Sequence, residues 1–121
     1  MGTLYVVGTP IGNMEDVTFR QLETLKSVDF IAAEDTRVTL KLLNRYGIKK
    51  TLVSYHRHSG ENCALSIMER IKNGENAAIV TDAGMPCISD PGEDLVKICA
   101  ENEVDVKVVP GPSAVISALA V

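Results

Sequence analysis

Short runs of consecutive apolar residues alternate along the chain with longer stretches whose apolar positions recur every three or four residues. The short runs, Leu4–Gly8, Phe30–Ala33, Thr51–Tyr55, Ala77–Thr81 and Val106–Val109, read as buried strands. Thr18–Ser27 carries Phe19, Leu22 and Leu25 at helical spacing, with Asp16 or Thr18 placed to cap it. Thr36–Tyr46 carries Val38, Leu40, Leu42 and Leu43, and Gly47 is a natural stop. Asn62–Lys72 carries Leu65, Met68 and Ile71 and ends at "NGEN"; Glu93–Asn102 carries Leu95, Val96, Ile98 and Cys99. Ser113 begins a last helix.

Strands that run apolar without alternating are covered on both faces. Alternation with helices then predicts an α/β fold, a five-stranded, mainly parallel sheet with helices on both faces and right-handed crossovers. Three of the strands run into turns rich in Gly and Pro: "VVGTPIGN" (Val6–Asn13), "IVTDAGMPCISDPG" (Ile79–Gly92) and "VVPGPSA" (Val108–Ala114). In an open parallel sheet these turns share the carboxyl edge, where ligands sit. Glycine lets backbone approach a ligand, and proline holds a loop without needing a donor. Each turn alone reads first as an ordinary strand-to-helix connection; three on one edge favour a ligand. Neither G-x-G-x-x-G after the first strand nor G-x-x-x-x-G-K-[ST] occurs, which disfavours a dinucleotide and excludes a P-loop. A backbone-lined, apolar site suits a nucleoside or adenosyl group.

Composition narrows the picture further. The chain of 121 residues is 45% hydrophobic, is 23% charged and has no Trp, which predicts one domain with an aliphatic core. No apolar run approaches the roughly 20 residues that cross a bilayer, and the start lacks a secretory pattern. Cys63, Cys87 and Cys99 are odd in number and scattered, so a disulfide framework is not expected and a reducing cytoplasm is. The net charge of −4 is unevenly spread. Arg37, Lys41, Arg45, Lys49, Lys50 and Arg57 fall in a window without Asp or Glu. Such a window marks either a solvated helix face or a surface for an anionic partner.

Five segments in order, "LYVVGTPIGNMEDVT" (Leu4–Thr18), "AAEDTR" (Ala32–Arg37), "SYH" (Ser54–His56), "TDAGMPCISDPG" (Thr81–Gly92) and "VVPGPSA" (Val108–Ala114), closely resemble the ribosomal RNA small subunit methyltransferase I family. That family falls among the tetrapyrrole methylase-like methyltransferases that use S-adenosylmethionine (SAM). The resemblance implies methyl transfer from SAM to the ribose 2′-oxygen of a cytidine in small-subunit (16S) ribosomal RNA, by a homodimer. It further implies that residues 1–121 form the N-terminal α/β domain of a two-domain enzyme, with the C-terminal domain absent from this chain and the domain alone inactive. Carried over by position, the cofactor contacts fall on Pro10, then Asp82, Ala83, Gly84, Cys87 and Ile88, then Ser113 and Ala114. Arg57, Ser59, Met85 and Cys87 depart from the family pattern.

Glu34 and Asp35 follow the second strand on the ligand edge. With His56 they are the candidate proton acceptors, His56 because it titrates near neutrality. The alternative is that Asp35 or Thr36 caps the next helix and His56 only contacts RNA. Arg37, Lys41 and Arg45 recur every four residues and line one helix face, a stripe that either tracks RNA phosphates or is simply solvated. His56 and His58 could share a face as metal ligands, but no third ligand is evident and no metal is expected. Two other readings remain open: a methylase of a tetrapyrrole or other small molecule, and a non-catalytic dimerisation or RNA-binding module.

Overall fold

The structure, a computed structural model, describes residues 1–8, 17–55, 60–80 and 92–109. The elements run β1 (Thr3–Val7), α1 (Phe19–Ser27), β2 (Phe30–Ala33), α2 (Thr36–Arg45), β3 (Thr51–Ser54), α3 (Gly60–Lys72), β4 (Ala77–Val80), α4 (Gly92–Glu101) and β5 (Asp105–Val109). The helix expected from Ser113 lies outside the described residues, as does Thr81. Every other element falls within two residues of its expected bounds.

The sheet has the order β3-β2-β4-β1-β5, and all four strand pairings are parallel. Side chains alternate between two cores. Leu4, Val6, Phe30, Ala32, Ala77 and Ile79 pack under Ala64, Ile67, Met68 and Ile71 of α3 and Leu95 and Cys99 of α4. Val7, Ile31, Ala33, Ala78 and Val80 pack under Leu25 of α1, the following Val28, Leu43 of α2 and the following Ile48. β2 and β4 are therefore apolar at every position because each face has its own helices. Bulk is complementary across the register: Phe30 pairs with Ala77, Ile31 with Ala78 and Ala32 with Ile79. Large residues sit beside small ones, which lets both layers close-pack. The edge strands β3 and β5 are more exposed.

From β1 to β2 and on to β3 the chain steps one way across the sheet, with α1 and α2 on one face. From β3 to β4 and on to β5 it steps back, with α3 and α4 on the other. Reversing direction and face together is what one constant crossover hand requires.

The amphipathic expectation needs one correction. Phe19, Val38, Leu40 and Leu65 were expected on core faces and are exposed, Phe19 to 80%. The buried positions of α1 and α2 are Gln21, Thr24 and Leu25, and Thr39, Leu42 and Leu43. A helix lying on a sheet buries an arc roughly 100° wide, and these apolar residues fall outside it.

The amino edge is tied by polar contacts. The Asn76 side-chain oxygen accepts from the Thr3 N–H at 2.9 Å, and the Asn76 N–H donates to the Asp29 carboxylate at 2.7 Å. Arg70 forks onto Glu75 at 2.8 and 3.0 Å and lies 3.8 Å from the Phe30 ring centroid.

Candidate active site at the carboxyl edge of the sheet

β1, β4 and β5 are parallel and adjacent, so Val7, Val80 and Val109 end at one edge of the sheet. β4 sends α4 to one face, while its neighbours β1 and β2 send α1 and α2 to the other. This reversal beside the end of β4 is a topological switch point, where open α/β sheets take ligands. The expected cofactor residues Pro10, Asp82, Ala83, Gly84, Cys87, Ile88, Ser113 and Ala114 lie outside the described residues, as does His56. The strands leading to them are described.

The Gly8 peptide at the end of β1 is held on both sides. Its N–H donates to the Val109 carbonyl at 3.2 Å, extending the β1–β5 ladder by one bond. Its carbonyl accepts from the Gln21 side-chain Nε2. Tyr55 extends the β2–β3 ladder in the same way, donating to the Ala33 carbonyl at 2.8 Å. Tyr55 is buried, so its packing fixes the chain just before His56.

Glu34 and Asp35 lie between β2 and α2, on this edge. Asp35 is the N-cap of α2, as one reading of the sequence expects. Its Oδ1 accepts from the Arg37 N–H at 2.9 Å and from Arg37 Nε at 3.2 Å, and its Oδ2 accepts from Arg37 Nη2 at 3.1 Å. The hydrogen bond to the Arg37 side chain, followed by that to the Arg37 backbone, holds the Asp35 carboxyl below its usual range. Asp35 is thus an ionised, fully engaged carboxylate and a poor proton acceptor. It anchors Arg37, whose side chain is 88% exposed.

Lys41 and Arg45 follow one and two turns later, both exposed. With Arg37 they line the side of α2 opposite the buried Thr39, Leu42 and Leu43. The stripe therefore exists as a surface, but its first cation is already paired with Asp35. Gln21, buried near the start of α1, stands outside the candidate residues of the sequence, although Thr18-x-x-Gln21 is a capping-box pattern. Among the described residues, no group of three or more His, Cys, Asp or Glu could hold a metal, and no helix is long and apolar enough to cross a membrane. Cys63 and Cys99 are free thiols; burial pushes the Cys99 thiol up to about 11.

A parallel five-stranded sheet with helices on both faces and a switch point beside β4 defines an open α/β domain, the architecture that takes ligands at its carboxyl edge. The chain belongs to the tetrapyrrole (corrin/porphyrin) methylases, whose family model matches residues 3–121. It is 54% identical, over all 121 residues, to a protein from Thermotoga maritima named ribosomal RNA small subunit methyltransferase I, of which it covers 54%. It is 54% identical over 119 residues to the protein of that name from Bacillus subtilis, covering 98% of this chain and 41% of that one. The chain spans about half the length of the curated relatives it matches. Among solved structures, uroporphyrin-III-C-methyltransferase from Thermus thermophilus superimposes with a TM-score of 0.73 at 23% identity, covering 99% of this chain and 51% of that one. A diphthine synthase does so with a TM-score of 0.69 at 17% identity, covering 94% and 45%. At such identities the likeness is one of fold.

Proposed function

We propose that this chain is the N-terminal domain of a two-domain, SAM-dependent methyltransferase that methylates the ribose 2′-oxygen of a cytidine in 16S ribosomal RNA. The observation that carries this reading is the 54% identity, over the whole chain, to proteins named for ribosomal RNA methylation, against 23% for a uroporphyrin enzyme of the same fold. The exposed cationic side of α2 supports an RNA partner. The switch point at β4 fits an adenosyl ligand held largely by backbone, with Pro10, Asp82, Ala83, Gly84, Cys87, Ile88, Ser113 and Ala114 as its contacts.

SAM supplies an activated methyl group, open to in-line displacement at the sulfonium. The protein's task is then to align the ribose hydroxyl and receive its proton. Glu34 and His56 are proposed for proton acceptance. Asp35 is assigned instead to fixing Arg37, since both its oxygens already accept hydrogen bonds from that residue. Arg37, Lys41 and Arg45 are proposed to face the RNA. A homodimer is proposed from the family resemblance, and a reducing cytoplasm from the odd, scattered cysteines.

The deciding experiment incubates the full-length enzyme carrying this chain with labelled SAM and small ribosomal subunits lacking the methyl mark. Nucleoside digestion should return label in 2′-O-methylcytidine. Label on a base, or on an added tetrapyrrole and not on RNA, would refute the reading. Glu34→Ala and His56→Ala should lower the single-turnover rate far more than SAM affinity; wild-type rates in both would remove them from the chemistry.

A further inference from the structure

We infer that Gln21 is a positioning residue for the cofactor-binding turn after β1, an inference that rests on the proposed role of that turn in SAM binding. Gln21 is the third residue of α1 and is fully buried. Its side chain uses both halves of the carboxamide. Oε1 accepts from the Thr18 N–H at 2.6 Å, and Nε2 donates to the Gly8 carbonyl. Thr18 Oγ1 accepts in return from the Gln21 N–H at 3.1 Å. Gly8 is where the chain leaves β1, and Thr18 is where it enters α1. One side chain therefore fixes both ends of the connection that carries Pro10.

The first half of this arrangement is an ordinary capping box, and any Gln or Glu could supply it. The second half is not. A capping box asks nothing of the nitrogen, and the residue in this position needs no burial. Here the nitrogen reaches back to the preceding strand, and a carboxamide offers an acceptor to the helix start and a donor to the strand end together, as an ionised carboxylate cannot. Gly8 is tied to the end of β5 as well, through its N–H and the Val109 carbonyl. The Gln21 bond therefore bears on the start of the turn after β1 beside the start of the turn after β5, two of the three proposed to hold the cofactor.

The test measures SAM affinity calorimetrically in the full-length enzyme and compares three variants. Gln21→Met keeps the length and loses both side-chain bonds. Gln21→Glu keeps the acceptor for Thr18 and replaces the donor with a carboxylate facing the Gly8 carbonyl. Thr18→Ala removes the cap hydroxyl and leaves both Gln21 side-chain bonds in place. All three should melt earlier than wild type. Loss of one or two hydrogen bonds that orient the site should weaken SAM binding roughly tenfold in both Gln21 variants, with Thr18→Ala within about twofold of wild type. Gln21 variants that lose stability and bind SAM like wild type would make the residue purely structural and overturn the inference. A wild-type enzyme that binds no SAM would overturn the cofactor reading and this inference with it. Should a Gln21 variant fail to fold, the wild-type enzyme decides. With nitrogen-15-labelled glutamine, the Gln21 Nε2–H signal should shift and exchange more slowly on SAM addition, and an unmoved signal overturns the inference.

Discussion

Arg37 and Lys41 lie on the same exposed side of α2, yet they should not contribute alike to RNA binding. The guanidinium of Arg37 is already forked onto Asp35, at 3.2 and 3.1 Å. That pair presents no net charge to a phosphate, whereas Lys41 presents a whole one. Each phosphate contact by an unneutralised cation adds about 0.7–0.9 to the slope of log affinity against log salt. Lys41→Gln should therefore flatten the slope by that amount, which narrows the affinity range between about 50 and 200 mM salt by about threefold. The double variant Asp35→Asn/Arg37→Gln removes one charge of each sign and keeps an N-cap side chain on α2. Its slope should match wild type. Asp35→Asn alone frees Arg37 and should steepen the slope. Filter binding of the full-length enzyme to unmethylated small subunits, repeated across a salt series, measures all four proteins. A double variant whose slope falls as far as that of Lys41→Gln would refute the reasoning, because Arg37 would then reach phosphate in spite of its partner.

Three predictions concern stability and reactivity. Glu103 has φ 61°, in the left-handed region, and follows α4 as Gly47, with φ 68°, follows α2; Glu103→Gly should raise stability by about 1 kcal/mol and Gly47→Ala lower it by about as much, read from urea midpoints. A Cβ on Gly2 would lie 1.9 Å from the backbone oxygen of Glu75, so Gly2→Ala should cost about 1–3 kcal/mol in the same assay and leave SAM affinity intact. The Cys99 thiol, raised to about 11 from 9.0 by burial, keeps its proton in the folded state after the unfolded chain has lost it; stability should therefore fall as pH rises from about 9 to 11, and a Cys99→Ala variant should show less of this fall.

The described strands and helices were legible because periodicity reports burial, and the two cores bury most of what the pattern marks, Phe19, Val38, Leu40 and Leu65 excepted. Asp35 as a cap and Gly47 as a stop were legible for local reasons: each solves the unmet hydrogen bonds of one helix end. The strand order was not, since continuous apolar strands such as Phe30–Ala33 and Ala77–Val80 fit any interior position. Nor was the pairing of Asp35 with Arg37. Residues two apart do not face each other within a helix, but Asp35 stands outside α2 with extended backbone, φ −125° and ψ 107°, and its carboxylate folds back over the first turn. Gln21 escaped because a polar side chain inside a helix is read as solvent-facing, and only the end of β1 arriving beside it makes burial tolerable.

The two edges of the sheet are built to different ends. At the amino edge the helices α2 and α4 finish in matching turns. Ile48 donates to the Leu43 carbonyl and Gly47 to that of Asn44, while Val104 donates to the Cys99 carbonyl and Glu103 to that of Ala100. These bonds occupy two carbonyls in the last turn of each helix, and buried Ile48 and Val104 lock the turns onto the core. Asn76 then stitches the starts of β1, β2 and β4 together, and Arg70, paired with Glu75, lies over the Phe30 ring. At the carboxyl edge lie the two longest connections between the described elements, 8–18 and 81–91, and the helix ends there are N-termini, which favour anions. At α1 and α2 the caps are made by Thr18, Gln21 and Asp35, and two of those three also tie a neighbouring segment or side chain in place: Gln21 holds Gly8, and Asp35 holds Arg37. Substitutions at the amino edge should therefore be felt first in folding, and substitutions at these two caps first in the orientation of whatever the edge holds.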